Sequence, residues 1–237
     1  MPNAFQDTLK KYFPEVIVIF IGISISFWFE EWRDNRKDRE MEQKMLQNLK
    51  ENLAQDTLLL GKTAQRTNVM VHGIEKLILF KQDADILDSV NIYIDMAASY
   101  TGILTNQTTY EEMKQTGQTR LIQDDTLKKA ILGHYTGLIP YVKEWCEVDK
   151  THTMTQLIPE MSAYFPVVID TMGLVDVSQK IKSLKTPKLK YLLITNLAYK
   201  QEAVKAIIAA NANTKRLIAR IDKTLKRERS RKSDKQE

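Results

Sequence analysis

The residues of this sequence whose types and spacing could do chemistry are few and scattered. Glu15 stands at the start of the one long apolar run, Asp124 and Asp125 are adjacent, and Asp149 lies one helical turn before His152. An acid at membrane depth can move protons or ions or pair with a partner subunit. Neighbouring carboxylates can bind a metal ion or act as acid and base. The sequence therefore offers three places to look for a site.

Two of these places lack the further residues that a site needs. Asp124 or Asp125 is expected to cap a helix, and the pair at 149 and 152 is too small to hold a metal ion. His134, beside Tyr135, is expected to be packed or at the surface. No P-loop, G-x-G-x-x-G, H-E-x-x-H, C-x-x-C or nucleophile elbow is present. We therefore predict no catalytic residue, no cofactor and no metal site, and a chain that is not an enzyme.

The single cysteine, Cys146, excludes a disulfide within the chain. It stands beside Trp145 in an apolar-periodic stretch, where a cysteine usually serves as a small buried hydrophobic residue. We expect it to be packed in the core rather than to act as a nucleophile.

The apolar run is the segment around which these residues must be placed. Residues 16–29 carry no charge, but at 1.5 Å per residue they cover only about 21 Å of a bilayer core of about 30 Å. Counting residues 12–32 gives 21 positions, with Tyr12, Trp28 and Trp32 where aromatic side chains favour the two interfaces. A signal-peptide core and a buried helix are alternatives, but no small-residue cleavage site follows. The run predicts an uncleaved single transmembrane anchor.

Two features of this run carry open interpretations. Glu15 is either a functional membrane carboxylate or, beside Pro14, a helix-start residue at the headgroup level. Gly22 and Ser26 have the small-xxx-small spacing that lets two membrane helices approach closely. We expect these two residues to serve helix–helix packing in the membrane.

The positive charge is concentrated at the carboxyl end of the chain. Residues 215–237 hold ten of the 35 Lys and Arg residues but only four of the 30 acids, so the remainder is close to neutral. Such a tail either binds an anionic partner or is a solvated helix end. The residues expected to contact lipid or an acidic partner are Lys226, Arg227, Arg229, Arg231 and Lys232. Nucleic acid is not expected as a partner.

Apolar periodicity predicts a long helix at each end of the soluble part, over residues 34–81 and 188–229. Their apolar seams are interrupted by polar residues, which are Asp56, Thr63, Thr67 and Lys81 in the first helix and Lys200, Asn211 and Thr214 in the last. Gly61 and Gly73 are possible breaks. The predicted fold is all-α, an N-terminal single transmembrane helix followed by an elongated antiparallel helical bundle. The predicted divisions are a polar head at 1–11, the anchor at 12–32, the bundle at 33–229 and a basic disordered tail at 230–237.

Residues 108–135 predict a helix, a tight turn and a second helix. Thr108 and Glu111 have capping-box spacing, and Gly117 suits the position just after a helix. Further along the chain, Pro140 and Pro159 predict kinks or breaks.

The same stretch resembles a signature of an uncharacterised family of single-span membrane proteins of Bacteroidetes. The resemblance is carried by Tyr110, Glu111, Glu112, Met113, Gly117, Leu121, Ile122, Asp125, Leu127 and Tyr135, and near the amino terminus by Glu15, Gly22, Ile23, Ile25 and Trp32. Pro14, Phe27, Trp28 and Glu31 depart from the family pattern. The likeness covers roughly residues 10–135. It implies a topology, and it implies no activity.

These features together predict a membrane-anchored, non-catalytic helical module that acts as an accessory, scaffold or sensing subunit of a cell-envelope complex. The alternative is a subunit of an ion-coupled membrane machine that uses the Glu15 carboxylate. The expected place is the inner (cytoplasmic) membrane, with the amino terminus inside and the soluble domain in the periplasm. The expected partners are membrane lipid and either protein subunits or further copies of the chain.

Overall fold

The chain folds into helices only, as far as its structure is described. The computed structural model describes residues 3–165 and 177–233, with side chains from residue 16 onward except at 178, 229 and 231–233. The α-helices are α1 (Asn3–Leu79), α2 (Val90–Ala98), α3 (Thr108–Gln115), α4 (Asp125–Gly133), α5 (Ile139–His152), α6 (Ile158–Tyr164), α7 (Val177–Leu184) and α8 (Pro187–Ser233). The all-α bundle predicted from the sequence is confirmed. Within these residues, no helix combines the length and the apolar character needed to cross a membrane.

Helix α1 runs without a break for 77 residues, or about 115 Å. The possible breaks at Gly61 and Gly73 do not occur, and each glycine lies where another helix comes close. A methyl group added at Gly61 would lie 3.5 Å from the Asn211 side chain on α8. One added at Gly73 would press on Met96 and Tyr93 of α2. These glycines therefore mark close helix contacts and not helix ends.

Helix α8 returns along α1 in the antiparallel direction. Lys50 of α1 forms an ion pair with Asp222 near the carboxyl end of α8, with 2.6 Å between Nζ and the carboxylate. At the other end, Leu77 of α1 packs in one cluster with Leu189 of α8. The two predicted long helices are thus the neighbouring long walls of one bundle.

Three apolar clusters fill the bundle, named here by their distance from the start of α1. The proximal cluster joins Met45, Leu46, Leu49 and Leu53 to Tyr110, Met113, Ile122, Leu127, Ile131 and Tyr135 and to Leu217, Ile221 and Leu225. The middle cluster is Leu60, Ala64, Val142, Cys146, Val204, Ala206, Ile207 and Ala210. The distal cluster contains Ile74, Leu77, Ile86, Val90, Ala97, Leu157, Met161, Ile181, Leu184, Leu189, Leu192 and Leu193. The predicted α1 seam has seven apolar positions, and all are buried: Leu46, Leu49, Leu53, Leu60, Met70, Ile74 and Leu77.

The expected breaks at the prolines are replaced by π-helical turns. The chain stays helical from Asp125 to Tyr164, with one wide turn at His134–Leu138 and another at Thr153–Leu157. Pro140 and Pro159 fall in the first turn of the helix after each. Proline has no N–H to give to the preceding turn, and a π turn changes the bonding pattern before it. The helix therefore continues past both prolines.

The predicted helix, turn and helix at 108–135 are present. Gly117 has a left-handed φ of 68°, and Asp124 caps α4 by accepting from the backbone N–H groups of Thr126 and Leu127. The capping box is wrong. Thr108 is already the first residue of α3, and the N-cap position falls on Gln107, which makes no side-chain capping hydrogen bond. The Thr108 N–H donates to Asn106 Oδ1 at 3.2 Å.

Candidate functional site

The most conspicuous surface of the molecule is the apolar segment, defined here as residues 16–32 of α1. Its large apolar side chains are all exposed, from 39% at Ile17 to 70% at Phe20. Exposure on every face distinguishes this stretch from an amphipathic helix, which buries one stripe. Burial against the rest of the chain begins only at Glu42. The segment therefore has no covering partner among the described residues.

Gly22 and Ser26 lie on one face of the apolar segment. The Ser26 hydroxyl donates to the Gly22 carbonyl oxygen at 2.9 Å, so this polar group is satisfied within the helix. A methyl group at Gly22 would meet no atom within 4 Å. Ile19, Ile23 and Phe27 border this notch. The predicted helix-packing pair is thus open, and its use in packing between membrane helices stays a prediction.

The tryptophans predicted to anchor an interface lie at the carboxyl end of the apolar segment. Trp28 is 69% exposed and Trp32 is 50% exposed. The Arg36 guanidinium lies over the Trp32 ring, 5.9 Å from its centre. Tyr12 and Glu15 lie on α1, but their side chains are outside the described residues.

The basic end of α8 lies beside the start of the bundle. Lys226 and Arg227 are exposed there, one or two residues before Glu228, whose carboxyl group meets that of Glu42 on α1. Arg229, Arg231 and Lys232 follow on the same helix, which ends at Ser233, and their side chains are outside the described residues. The antiparallel return brings this end of α8 within a few turns of Trp32.

Glu42 and Glu228 form a carboxyl pair between α1 and α8. Glu42 is 1% exposed, and its Oε1 accepts the Gln123 N–H at 2.9 Å. The Oε2 atom of each acid is buried and has no donor among the described residues. Burial raises the pKa of Glu42, the Gln123 N–H lowers it, the Glu228 carboxyl raises it and Arg39 lowers it. A proton held between the two carboxyl groups would satisfy both.

A second buried polar group was not predicted, namely an ion pair between α5 and α8. Lys200 Nζ lies 2.6 Å from Asp149 Oδ1 and 2.7 Å from the Ser99 carbonyl oxygen. Asp149 Oδ2 accepts the Thr101 N–H at 2.7 Å. The pair therefore fixes the extended segment after α2 against two helices. In the sequence, this pair was indicated by Lys200, a charged residue that interrupts the apolar seam of α8.

A third polar layer lies between the proximal and middle clusters. Asp56 is fully buried and accepts the Asn106 N–H at 2.7 Å. His134 Nδ1 lies 3.2 Å from Asn213 Nδ2, and burial lowers the His134 pKa to about 4, so the ring is neutral at pH 7. Tyr135 stacks on Tyr110 at 4.3 Å, and burial raises its pKa. Three atoms of this layer, Asp56 Oδ2, His134 Nε2 and the Tyr135 hydroxyl oxygen, are buried and have no hydrogen-bond partner among the described residues.

The remaining residues singled out for chemistry have structural roles. Asp124 caps a helix, and His152 Nε2 bonds the Leu192 carbonyl at 3.0 Å while Asp149 pairs elsewhere. Cys146 is buried, and burial followed by Asp149 and Glu147 raises its pKa to about 11. The thiol is therefore protonated at neutral pH, which disfavours nucleophilic attack.

Comparison of the chain with family models, curated proteins and solved structures finds no match. The resemblance to the Bacteroidetes family stays a prediction.

Proposed function

We propose that this chain is a membrane-anchored, non-catalytic helical module that serves as an accessory, scaffold or sensing subunit of a cell-envelope complex. In this proposal residues 12–32 form a single span in the inner membrane, with the amino terminus in the cytoplasm. The bundle stands in the periplasm and offers its outer faces to protein partners or to further copies of the chain.

The observation that carries the proposal is the exposure of the apolar segment on all sides. Phe20, Trp28 and Phe29 are 59–70% exposed, and no other part of the described chain covers them. Leaving so much apolar surface in water is unfavourable at about 25 cal/mol per Å². A bilayer removes this cost because it surrounds a helix on every side, whereas a globular partner covers one face.

The non-catalytic part of the proposal is supported by the contacts that three buried polar residues make. The buried Lys200, Asp149 and His152 bond to other parts of the fold. Each is thereby engaged in holding helices together. These three residues are thus accounted for by structural contacts rather than by a reactive constellation.

The anchoring is tested by membrane fractionation of the full chain and two variants. Ile19→Asp with Ile23→Asp places two charges in the apolar segment. Leu58→Asp with Val69→Asp makes the same number of apolar-to-acid changes on an exposed face of the bundle, where Leu58 is 68% and Val69 52% exposed. The wild-type and bundle variants should stay with membranes after alkaline carbonate extraction, and the segment variant should be released. Wild-type protein in the soluble fraction would contradict the proposal.

Sidedness is tested with a cysteine at the exposed position 65. Because Cys146 is buried, the labelling of Gln65→Cys by a membrane-impermeant maleimide reports the new thiol. Labelling in intact spheroplasts supports a periplasmic bundle. Labelling only after lysis would place the bundle in the cytoplasm.

A further inference from the structure

We propose that the exposed cations at the adjoining ends of α1 and α8 form a binding surface for the phosphate headgroups of anionic phospholipids. This inference rests on the proposed membrane anchoring and names the partner of that end of the bundle. The surface is called the cationic collar, and its described members are Lys37, Arg39, Lys223, Lys226 and Arg227.

The members of the collar are available to an outside anion. All five are exposed, and none has an ion pair within 4 Å among the described side chains; Arg39 acts electrostatically on the Glu42 carboxyl group. By contrast, Arg33 contacts Glu30 and Asp34, and Arg36 contacts Glu40 at 3.3 Å. The cations already neutralised within α1 are therefore distinct from those of the collar.

The distance of the collar from Trp32 fits a headgroup layer. Along α1, Lys37 and Arg39 lie about 8 and 10 Å beyond Trp32 at 1.5 Å per residue. Since Glu228 lies opposite Glu42, Lys226 and Arg227 are at a level about 17 Å beyond Trp32. The headgroup layer adds about 5–8 Å to each side of the hydrocarbon core. The α1 cations thus reach the phosphates, and the α8 cations lie within about two Debye lengths of them.

Lipid is favoured over an acidic protein by continuity with the apolar segment. The same helix carries the exposed apolar surface and, one to two turns later, Lys37 and Arg39. An anchored chain therefore holds these cations against the membrane surface at all times. Five acids, Glu30, Glu31, Asp34, Asp38 and Glu40, lie in the same turns, and three of them, Glu30, Asp34 and Glu40, each contact an arginine.

The chain offers a matched control for the test. Lys215 and Arg216 repeat the Lys-Arg pair of residues 226 and 227 on the same helix, exposed and eleven residues earlier. Eleven residues are about three turns, so the two pairs share a face but differ in depth by about 17 Å. Replacing each pair by serine changes charge equally at two distances from the membrane.

The experiment uses the full chain in phosphatidylcholine vesicles that contain a small fraction of phosphatidylglycerol. One of the two lipids carries brominated acyl chains, and quenching of tryptophan fluorescence gives the relative binding constant of the anionic lipid. Each cation near an anionic surface contributes about five-fold, which corresponds to about 1 kcal/mol. The wild-type protein should prefer phosphatidylglycerol at least five-fold at low salt, and salt should reduce this preference.

The variants should form a graded series. Lys37→Ser with Arg39→Ser should remove most of the preference, Lys226→Ser with Arg227→Ser should reduce it two- to five-fold, and Lys215→Ser with Arg216→Ser should match wild type. Equal binding of both lipids by the wild-type protein, or equal losses in the last two variants, would overturn the inference. Quenching by brominated phosphatidylcholine still reports the anchor, so absence of quenching by either lipid would reject the membrane proposal itself.

Discussion

Lys200 Nζ lies 2.6 Å from Asp149 Oδ1, and neither side chain has any exposed surface. Burial lowers the Lys200 pKa, and the Asp149 carboxylate opposes this shift. The pair joins α5, α8 and the segment after α2, since Ser99 and Thr101 also bond to it. Each buried charge is therefore stabilised by the other charge and by its hydrogen bonds, and not by water.

Removing one partner of this pair should destabilise the bundle strongly. Lys200→Met or Asp149→Asn should each cost about 3–5 kcal/mol, because a buried charge or carbonyl is left without its partner. The double variant should cost little more than one single variant. Urea unfolding followed by circular dichroism in mild detergent measures these values. The exposed pair of Lys205 and Glu202 is the control, and Lys205→Met should cost less than about 1 kcal/mol. Additive losses at 149 and 200 would show that the pair is not coupled.

His134 should make the protein less stable in mild acid. Its pKa is near 4 when folded and 6.5 when unfolded, so below pH 6.5 the unfolded chain binds the proton more tightly. Stability from this group is complete above pH 6.5 and is lost as the pH falls towards 4, at most about 3 kcal/mol. His134→Gln should flatten this part of the profile of unfolding free energy against pH. His72→Gln, which removes a histidine at an exposed position of α1, is the control variant.

Glu42 should have the opposite effect on the pH profile. Its folded pKa is raised above 4.5 by burial and by Glu228, so the folded state holds the proton more tightly than the unfolded state. Stability therefore falls as the pH rises through the folded pKa. Glu42→Gln should stabilise the protein at pH 7 by about 1 kcal/mol, since an amide can donate to Glu228 and accept from Gln123. Glu40→Gln at the exposed ion pair with Arg36 is the control, and a destabilised Glu42→Gln would show that the carboxylate is needed.

The two glycines in α1 should respond differently to alanine. Gly61→Ala should raise stability by about 0.5–1 kcal/mol through helix propensity, because its methyl group would lie at an ordinary distance from Asn211. Gly73→Ala should give no such gain, because the methyl group would press on Met96 and lie 3.3 Å from Tyr93. Thermal unfolding of the two variants compares them directly. Equal gains would mean that α2 moves aside at no cost.

Glu15→Gln should leave membrane anchoring and the set of co-purified proteins unchanged. This follows from the proposed accessory role, in which the carboxylate only begins a helix beside Pro14. Purification of wild type and variant in mild detergent, followed by mass spectrometry, makes the comparison. Intact assembly combined with loss of the complex's activity would favour the ion-coupled alternative.

The helices were predictable from the sequence because their signals are local. Leu46, Leu49 and Leu53 follow a seam, and Gly117 and Asp124 mark the turn by residue type alone. The pairing of Lys200 with Asp149 was not predictable, because 51 positions separate the partners. Lys200 was visible only as a polar interruption of an apolar seam, and Asp149 only as a neighbour of His152 one helical turn away. Their contact depends on the antiparallel register of α5 and α8, which the sequence pattern does not specify.

The continuity of α1 has a mechanical consequence. From Trp32 to Leu79 the helix extends about 70 Å without a hinge. A tilt of about 10° at its base would displace the distal tip by about 12 Å, given the same rise per residue. The first helix therefore acts as a lever that converts a small rotation at one end into a displacement the size of a helix diameter at the other.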